Sequence, residues 1–371
     1  MIFSNANVYT ADCVFKRGAV CVENGIIKDV ILGDVEGDFD CEGNYLIPGL
    51  LDVHFHGCVG EDFCNATEEA IQKICDYQAS IGVTQICPAT MTYTEDILTP
   101  IMEAAANHKN ARGADLIGIN MEGPFISPNK VGAQNPEYVI KPDYNMILRL
   151  QEKANGLIKL VDVAPEVDGG LDFIKSASND FVISIAHTCT DYKTAVKAFE
   201  YGARHMTHLF NAMPGITHRE PGPIIAAAEA GADAEIICDG HHIHYAAVRF
   251  AFEMFGWDKM VLIADSCEAA GMPDGKYSLG GQPIEKRDGA AFLKNTNTLA
   301  GSTTNLFECM KHAHFDADID LEVAIAAATI NPARSIDVDD KYGSIEPGKI
   351  ANMVLVDKNL DIKCVVLHGN C

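Results

Sequence analysis

Near its N-terminus the chain reads Pro48-Gly49-Leu50-Leu51-Asp52-Val53-His54-Phe55-His56-Gly57, an apolar run that ends in two histidines. The run predicts a buried strand. Because side chains on a strand alternate between its two faces, His54 and His56 are expected to point the same way. Two imidazoles at the end of a strand can bind one divalent metal ion. An isolated His-x-His is more often a pair of core or surface histidines, so the metal interpretation depends on further ligand-type residues along the chain.

Strand-like and helix-like segments alternate after this stretch. Most strand candidates are short apolar runs, as expected for strands that are covered on both faces of a parallel sheet. The strand candidates are 51–56, 83–89, 116–121, 159–164, 181–186, 205–209, 235–239 and 260–264, and intervening helix candidates include 68–81, 192–201 and 245–255. Eight strands with helices between them over roughly 290 residues predict an α/β fold of the (β/α)8 TIM-like barrel type. An open doubly wound sheet is the alternative, since periodicity alone does not show closure.

Both ends of the chain also read as short strands. Residues 20–23 and 26–30 flank Asn24-Gly25, the strongest short signal for a β-hairpin. Segments 350–356 and 362–367 are similar in character. We expect the two ends to pair. The predicted organisation is a small β-sandwich domain formed by residues 1–47 together with 338–371, and a barrel over residues 48–337.

Composition restricts the partners and the compartment. The 371 residues are 48% hydrophobic and 22% charged, as in ordinary soluble globular proteins, and the formal net charge is -24. No basic patch is apparent, which argues against nucleic acid as a partner, and the acidic balance argues against anionic membranes. The thirteen cysteines are scattered and often lie in apolar runs, while no secretory signal or membrane-length run is visible. These features predict a cytoplasmic protein.

Ligand-type side chains recur at the ends of five predicted strands. They are His54 and His56, Glu122, His187, His208 and Asp265. In a barrel of this kind the carboxyl ends of the strands meet at one face, so these groups are expected to lie together. Imidazole and carboxylate groups that converge form a nitrogen and oxygen metal site. Each residue alone has an ordinary explanation, such as a helix cap for Asp265. The metal prediction therefore rests on their recurrence at one face.

Longer motifs surround these strand ends. They are Glu122-Gly123-Pro124-Phe125, Ala186-His187-Thr188, Thr207-His208-Leu209-Phe210-Asn211-Ala212-Met213-Pro214 and Arg219-Glu220-Pro221-Gly222. Together with the His-x-His stretch they resemble the amidohydrolase superfamily and, within it, the N-acetylglucosamine-6-phosphate deacetylase family. The resemblance extends to 299–302 and 348–352, so it covers essentially the whole chain.

The resemblance implies a metal-dependent hydrolase that converts N-acetylglucosamine 6-phosphate to glucosamine 6-phosphate and acetate. It implies one or two divalent ions per subunit, with zinc expected first and iron, manganese or cobalt as alternatives. Asp265 would be the general base. The implied metal ligands are Glu122, His187 and His208 for one ion, and His54 and His56 for a second ion that Glu122 bridges.

The resemblance also implies the substrate contacts. Arg219 would bind the phosphate and reach into the neighbouring subunit's site, which implies a homodimer; its guanidinium matches phosphate oxygens and stays charged. Asn211 and Ala212 would offer backbone N–H donors, and His242 matches the substrate-binding histidine of the family. Gln134 stands where family members usually have a histidine that helps to polarise the acetyl carbonyl. Its amide can donate a hydrogen bond but cannot become cationic.

Three alternatives remain open at this point. The same chemistry would serve another N-acetyl amino-sugar phosphate, such as N-acetylgalactosamine 6-phosphate, because epimers differ in one hydroxyl orientation. A cyclic-amide hydrolase such as a dihydroorotase is disfavoured, because no lysine stands in Val163-Ala164-Pro165-Glu166 at the end of the fourth predicted strand. A catalytically dead scaffold would be expected to have lost metal ligands, whereas all of them are present.

Overall fold

The computed structural model of the protein describes residues 1–110 and 112–371 and has a mixed α/β architecture. The strands are β1 (Ile2–Tyr9), β2 (Phe15–Glu23), β3 (Ile26–Leu32), β4 (Phe39–Asp40), β5 (Tyr45–Pro48), β6 (Leu50–Asp52), β7 (Gly57–Cys58), β8 (Glu61–Asp62), β9 (Val83–Ile86), β10 (Asp115–Leu116), β11 (Ile119–Phe125), β12 (Ile158–Val163), β13 (Val182–Ile185), β14 (His205–Met206), β15 (Asp233–Ile237), β16 (Met260–Ile263), β17 (Gly275–Leu279), β18 (Gln282–Arg287), β19 (Ala290–Leu293), β20 (Met353–Val356) and β21 (Ile362–Val366).

Helices separate the central strands. They are α1 (Glu68–Ser80), α2 (Glu95–Asn107), α3 (Tyr144–Lys153), α4 (Gly170–Ala177), α5 (Tyr192–Glu200), α6 (Gly222–Ala230), α7 (Tyr245–Phe255), α8 (Leu306–Phe315), α9 (Leu321–Ala328) and α10 (Ile330–Ser335). The helices predicted over 68–81, 192–201 and 245–255 are confirmed as α1, α5 and α7, each within one residue of the predicted bounds.

The central strands run parallel in two neighbouring sheets. One sheet has the order β10-β9-β6, and the other runs β11-β12-β13-β14-β15-β16. Strands such as β13 and β16 are buried along their whole length, as expected where both faces of a parallel sheet are covered. A parallel bridge between Ala89 and Asn120 connects the two sheets. The outer strands of the two sheets, β16 and β6, are also connected. The backbone N–H of Asp265 donates to the carbonyl oxygen of His54 at 2.8 Å, so the segments that follow these two strands are neighbours.

Strands from the two ends of the chain share a separate sheet. Its order is β21-β20-β5-β1-β2-β3, with β4 paired to β1, and β20 pairs antiparallel with β5. Asn24 and Gly25 join β2 to β3 with φ angles of 52° and 78°, the left-handed conformation that a type I′ hairpin turn requires. The pairing of the two ends is thus present, while the division into domains at residues 47/48 and 337/338 stays a prediction.

Four of the central strands that carry the motifs, β6, β13, β14 and β16, end earlier than the sequence pattern suggested, whereas β11 continues to Phe125, beyond its predicted end at residue 121. Positive φ angles stop the extended backbone at His187 (43°), His208 (26°) and Asp265 (47°). At β6 the carboxylate of Asp52 accepts the backbone N–H of His54 at 3.2 Å, two residues beyond the last residue of the strand. The three-stranded antiparallel sheet β17-β18-β19 was not predicted.

Two further features concern the helices and the cysteines. Within the described part of the chain, every helix is too short or too polar to cross a bilayer. Cys364 and Cys371 are joined by a disulfide, a pairing that the scattered cysteine pattern did not predict. The remaining cysteines are free and mostly buried, where they pack as small apolar side chains.

Candidate metal centre and active site

Glu122, in β11, lies at the centre of a buried cluster of histidines. Its Oε1 lies 2.9 Å from Nε2 of His187 and 3.1 Å from Nε2 of His208. The same oxygen lies 3.6 Å from Nε2 of His54, and Oε2 lies 3.3 Å from Nε2 of His56. All five side chains are at most 6% exposed. The predicted metal ligands are therefore together, although they come from strand ends as far apart in sequence as residues 54 and 208.

The cluster offers two candidate ion positions that share Glu122. One comprises His54, His56 and Glu122, and the other comprises Glu122, His187 and His208; in each, ligand atoms lie within 4.8 Å of one another. The Nε2 atoms of His187 and His208 face each other at 3.2 Å, and within residues 1–110 and 112–371 the buried Nε2 of His54 has no hydrogen-bond partner. A divalent cation would satisfy these nitrogens, and the mixed imidazole and carboxylate set suits zinc, iron, manganese or cobalt.

The far nitrogens of two of these histidines are anchored by the protein. Nδ1 of His54 lies 2.9 Å from Oε2 of Glu235, and Nδ1 of His187 lies 2.8 Å from the carbonyl oxygen of Lys130. Such contacts orient the rings, so that the opposite nitrogen faces the metal position. Sequence reasoning placed Glu235 in a strand but gave it no role. The sequence feature that could have indicated a role for Glu235 is its charge, because it begins the otherwise apolar run Glu235-Ile236-Ile237-Cys238.

Asp265 lies beside the His-x-His pair at the mouth of the cluster. Its Oδ1 is 3.5 Å from Nε2 of His56 and 3.8 Å from Nε2 of His54. Burial raises the pKa of Asp265, but a hydrogen bond from His56 and the charge of His54 outweigh it, and the pKa lies below its ordinary value. Burial likewise opposes ionisation of Glu122, yet hydrogen bonds from His187 and the other cluster histidines hold its pKa well below the usual range. Both carboxyl groups are ionised at neutral pH.

Gln134 is part of the same hydrogen-bonded cluster. Its amide nitrogen donates to Oε2 of Glu122, and its amide oxygen accepts the backbone N–H of Thr92 at 2.8 Å. The side chain is buried. Gln134 thus contacts Glu122 directly, a contact that the sequence did not indicate.

A cavity of about 230 Å³ opens onto the cluster. Its lining includes Asn211, Ala212 and His242, so these three predicted substrate contacts lie at the cavity together with Asp265 and Gln134. The lining also has an apolar part that was not predicted. It includes Met91, Leu279 and Leu299, of which Leu279 belongs to β17 and Leu299 follows β19.

Asp239 holds His242 at the edge of this cavity. Oδ2 of Asp239 lies 2.7 Å from Nδ1 of His242, and Oδ1 accepts the backbone N–H groups of His241 and His242 at 2.9 and 2.8 Å. Burial lowers the pKa of His242, but the hydrogen bond and charge of Asp239 prevail and raise it above its ordinary value. The pKa of Asp239 is lowered, because the contacts with His242 outweigh burial.

Arg219 lies apart from the cluster within this chain. It is exposed in the segment that precedes α6, where its Nη1 lies 2.8 Å from Nε2 of His218, and it is not among the residues that line the cavity. The single chain therefore does not bring this predicted phosphate ligand to the other site residues.

Four residues of the site have a strained backbone. Positive φ angles, which non-glycine residues rarely adopt, occur at His187 (43°), His208 (26°), Ala212 (50°) and Asp265 (47°). Such conformations cost about 1–3 kcal/mol each and persist where the surrounding structure enforces them, often at functional sites. Here they turn the chain at the strand ends and direct the side chains toward one cavity.

The chain is similar to characterised proteins along its whole length. A model of the amidohydrolase family matches residues 45–371. An N-acetylglucosamine-6-phosphate deacetylase of Bacillus subtilis is 32% identical over 382 residues, which cover 100% of this chain and 96% of the relative. An N-acetylgalactosamine-6-phosphate deacetylase of Escherichia coli O157:H7 is 30% identical, with 88% of each chain covered.

Solved structures agree with these matches. A mutant of N-acetyl-D-glucosamine-6-phosphate deacetylase from Mycobacterium smegmatis, in complex with N-acetyl-D-glucosamine-6-phosphate, superposes with a TM-score of 0.94 at 30% identity and covers 100% of this chain and 98% of that one. The chain belongs to the amidohydrolase family. Within it, the full-length similarity places the chain in the N-acetylglucosamine-6-phosphate deacetylase family.

Proposed function

We propose that this protein hydrolyses the acetamide of N-acetylglucosamine 6-phosphate, with a divalent metal, to glucosamine 6-phosphate and acetate. The observation that carries the proposal is the Glu122 cluster, with Asp265 beside it, at the cavity of a chain similar over its full length to deacetylases of this name. A dead scaffold would not be expected to keep a complete ligand set.

The residues of the site have distinct proposed roles. Glu122 with His187 and His208 would hold one ion, and His54 and His56 with Glu122 a second one. In amide hydrolysis neutral water is a weak nucleophile and the amide carbonyl is a weak electrophile. A bound divalent ion would lower the pKa of the water and polarise the carbonyl oxygen, and so make both more reactive. Zinc is the proposed ion, with iron, manganese or cobalt as alternatives that the same donor set accepts.

Asp265 is the proposed general base and acid. It accepts a proton from the attacking water as the new C–O bond forms, and it donates that proton to the sugar nitrogen as the C–N bond breaks. Its lowered pKa supports the first step, because a base must be ionised at the working pH. Proton transfer of this kind contributes about 10²–10⁴-fold in rate.

The cavity is the proposed substrate site. Asn211 and Ala212 would offer backbone donors, and His242, held by Asp239, a side-chain donor. Gln134 lines the same cavity, which supports its assignment as a substrate contact, although its amide nitrogen donates to Glu122 here. Arg219 would bind the phosphate of a substrate in the neighbouring subunit of a homodimer. Its exposure and its distance from the cavity of its own chain are consistent with that assignment.

We also infer the closed form of the fold and the compartment. Closure of the central strands into a (β/α)8 barrel is supported by the Ala89–Asn120 bridge and by the hydrogen bond from Asp265 to His54. A β-sandwich domain of residues 1–47 and 338–371 is supported by the pairing of β5 with β20 and by a separate apolar cluster that includes Phe3, Leu46 and Met353. A cytoplasmic enzyme is consistent with the acidic composition.

The proposal is tested by acetate release from purified, metal-reconstituted protein. N-acetylglucosamine 6-phosphate is compared with N-acetylgalactosamine 6-phosphate, because a relative named for the second sugar is 30% identical, and with unphosphorylated N-acetylglucosamine. We expect release from the first substrate that stops after chelation and returns when zinc is added. Faster release from the galactosamine epimer would reassign the sugar, and no release from any of the three by metal-replete protein would refute the activity.

A further inference from the structure

Glu235 is a buried carboxylate beneath the metal cluster. It lies in β15 and is fully buried. Its Oε2 lies 2.9 Å from Nδ1 of His54 and accepts the backbone N–H of His208 at 3.1 Å. One carboxylate oxygen therefore contacts residues from both candidate ion positions, since His54 belongs to one and His208 to the other.

We propose that Glu235 is a positioning residue of the metal centre, which directs Nε2 of His54 toward Glu122 and ties His54 to the strand end that carries His208. A neutral imidazole that donates from Nδ1 carries its lone pair on Nε2. That Nε2 is the buried atom without a hydrogen-bond partner, and it lies 3.6 Å from Glu122. The carboxylate thus selects the tautomer in which His54 can be a metal ligand. This inference rests on the proposed metal-dependent function.

The surroundings of Glu235 explain why a carboxylate is used at this position. In the part of the chain that the structure describes, its ion pairs are with histidines, namely His54 at 2.9 Å and His205 at 3.8 Å from Nδ1. Its Oε1 has no hydrogen-bond partner among the described residues. A buried carboxylate is costly unless nearby groups compensate its charge. A divalent ion on the far side of His54 would supply that compensation, and the carboxylate would in turn raise the basicity of the imidazole as a ligand.

Asp162 provides a matched control. It is also fully buried, in β12, and its Oδ1 accepts a hydrogen bond from the hydroxyl of Thr207 at 2.9 Å. Among the residues described, no hydrogen bond joins it to a proposed metal ligand. Glu235→Leu removes both acceptors, whereas Glu235→Gln keeps an amide oxygen that can accept both hydrogen bonds. Asp162→Asn alters a buried carboxyl group whose hydrogen bond goes to Thr207 and not to a proposed metal ligand.

The experiment measures zinc binding to the metal-free protein, by calorimetric titration and by metal content after dialysis, together with thermal unfolding. We expect two ions per subunit in the wild type. In Glu235→Leu one ion should bind about 10- to 100-fold more weakly, as is typical when the partner of a metal-binding histidine is removed. The other ion should be retained. Glu235→Gln should lose less zinc affinity than Glu235→Leu, and Asp162→Asn should bind zinc with the affinity of the wild type. A Glu235→Leu protein that binds both ions with wild-type affinity would overturn the proposal, as would a wild type with one ion.

A second measurement does not depend on the folding of a variant. Long-range ¹⁵N–¹H spectra of zinc-loaded, histidine-labelled wild type, with His54→Asn used to assign the signals, should show His54 protonated at Nδ1. Protonation at Nε2 would overturn the proposal. Acetate release by the wild type is scored separately. If the variants bind zinc as expected but the wild type releases no acetate, Glu235 remains a positioning residue and the deacetylase activity is refuted. If the wild type releases acetate but Glu235→Leu binds zinc like the wild type, only the role of Glu235 is refuted.

Discussion

At the scale of single residues, the proposed chemistry depends on carboxylates that touch histidines. Glu122 contacts four imidazoles, and Asp265 lies beside two of them. These residue types were visible in the sequence because each follows an apolar run. The carboxylates behind the histidines, Glu235 and Asp239, were not predicted. Their partners lie far away in sequence or across a turn, and a pattern of apolar and polar residues does not specify which nitrogen a distant carboxylate will bind.

Asp265→Asn tests the proposed base. The amide cannot accept a proton from water, so kcat for acetate release should fall about 10²–10⁴-fold. The bound metal should remain, because Glu122, His187 and His208 are unchanged. Acetate release and metal content are measured on the same preparation, with Asp162→Asn as the buried control. Near-wild-type turnover in Asp265→Asn would exclude it as the proton carrier.

Asp239→Asn tests the electrostatic support of His242. The carboxylate raises the pKa of His242 and burial lowers it, so removal of the carboxylate should lower that pKa. Because the imidazolium is populated below its pKa, the variant should lose it at a lower pH than the wild type. The pH profile of kcat/KM should therefore show its alkaline decline at lower pH. His241→Ala is the control, since among the described residues Asp239 bonds the backbone N–H of His241 and not its side chain. An unchanged alkaline limb in Asp239→Asn would contradict the assignment.

At the scale of elements, the alternation of strands and helices was predictable, and the ends of the strands were not. Apolar runs such as Met260–Ile263 are typical of buried parallel strands, and β16 occupies that run. The predicted strand over 205–209 stops at Met206, because His208 adopts a left-handed backbone that only the packing of the site enforces. The sheet β17-β18-β19 was missed because it follows the regular alternation as an insertion. It nevertheless places Leu279 at the cavity.

Gly123→Ala tests how tightly β11 packs beside Glu122. Gly123 has a φ of +85°, and an added Cβ would lie 2.1 Å from Oγ1 of Thr92. Gly169 has a φ of +86° with nothing within 4 Å of the same position, so Gly169→Ala isolates the backbone strain. Gly169→Ala should lower the free energy of unfolding by about 1 kcal/mol. Gly123→Ala should cost about 1–3 kcal/mol more, because the added methyl group overpacks the strand.

Thermal and denaturant unfolding of both variants, together with acetate release, checks this difference. We expect Gly123→Ala to lose activity as well, because Thr92 donates from its hydroxyl to the carbonyl oxygen of Glu122 at 3.2 Å and would have to move. Equal losses of unfolding free energy in the two variants, with activity retained in both, would contradict this prediction. They would show that the Thr92 side chain can move aside without displacing Glu122.

At the scale of the whole molecule, the proposed homodimer would complete the site. Arg219 lies outside the cavity of its own chain, in an exposed segment. The molecule carries a formal charge of -24, so a phosphorylated substrate needs a local cation to offset the general repulsion. The sequence indicated which arginine would serve, through its Arg-Glu-Pro-Gly motif. A single chain does not show which subunit's cavity it would enter.

Subunit mixing tests this arrangement. Arg219→Ala should weaken the binding of N-acetylglucosamine 6-phosphate far more than that of the unphosphorylated sugar. Arg219→Ala and Asp265→Asn, each impaired alone, should regain activity when their subunits are exchanged, because a mixed dimer contains one site with both native residues. Random exchange would restore roughly a quarter of the sites. Acetate release after denaturation and joint refolding, compared with each variant refolded alone, measures the gain. No gain would place Arg219 in its own subunit's site.

The pairing of β5 with β20 has a consequence for biosynthesis. Pro48, the last residue of β5, and Met353, the first of β20, are partners in the sheet, yet roughly 300 residues separate them. Ribosomes add about 5–20 residues per second, so β5 leaves the exit tunnel about 15–60 s before its partner exists. Through that interval the nascent chain exposes an unpaired apolar edge of the kind that promotes aggregation. The segment that leads into the proposed metal-binding histidines is thus completed by a stretch that is translated roughly 300 residues later.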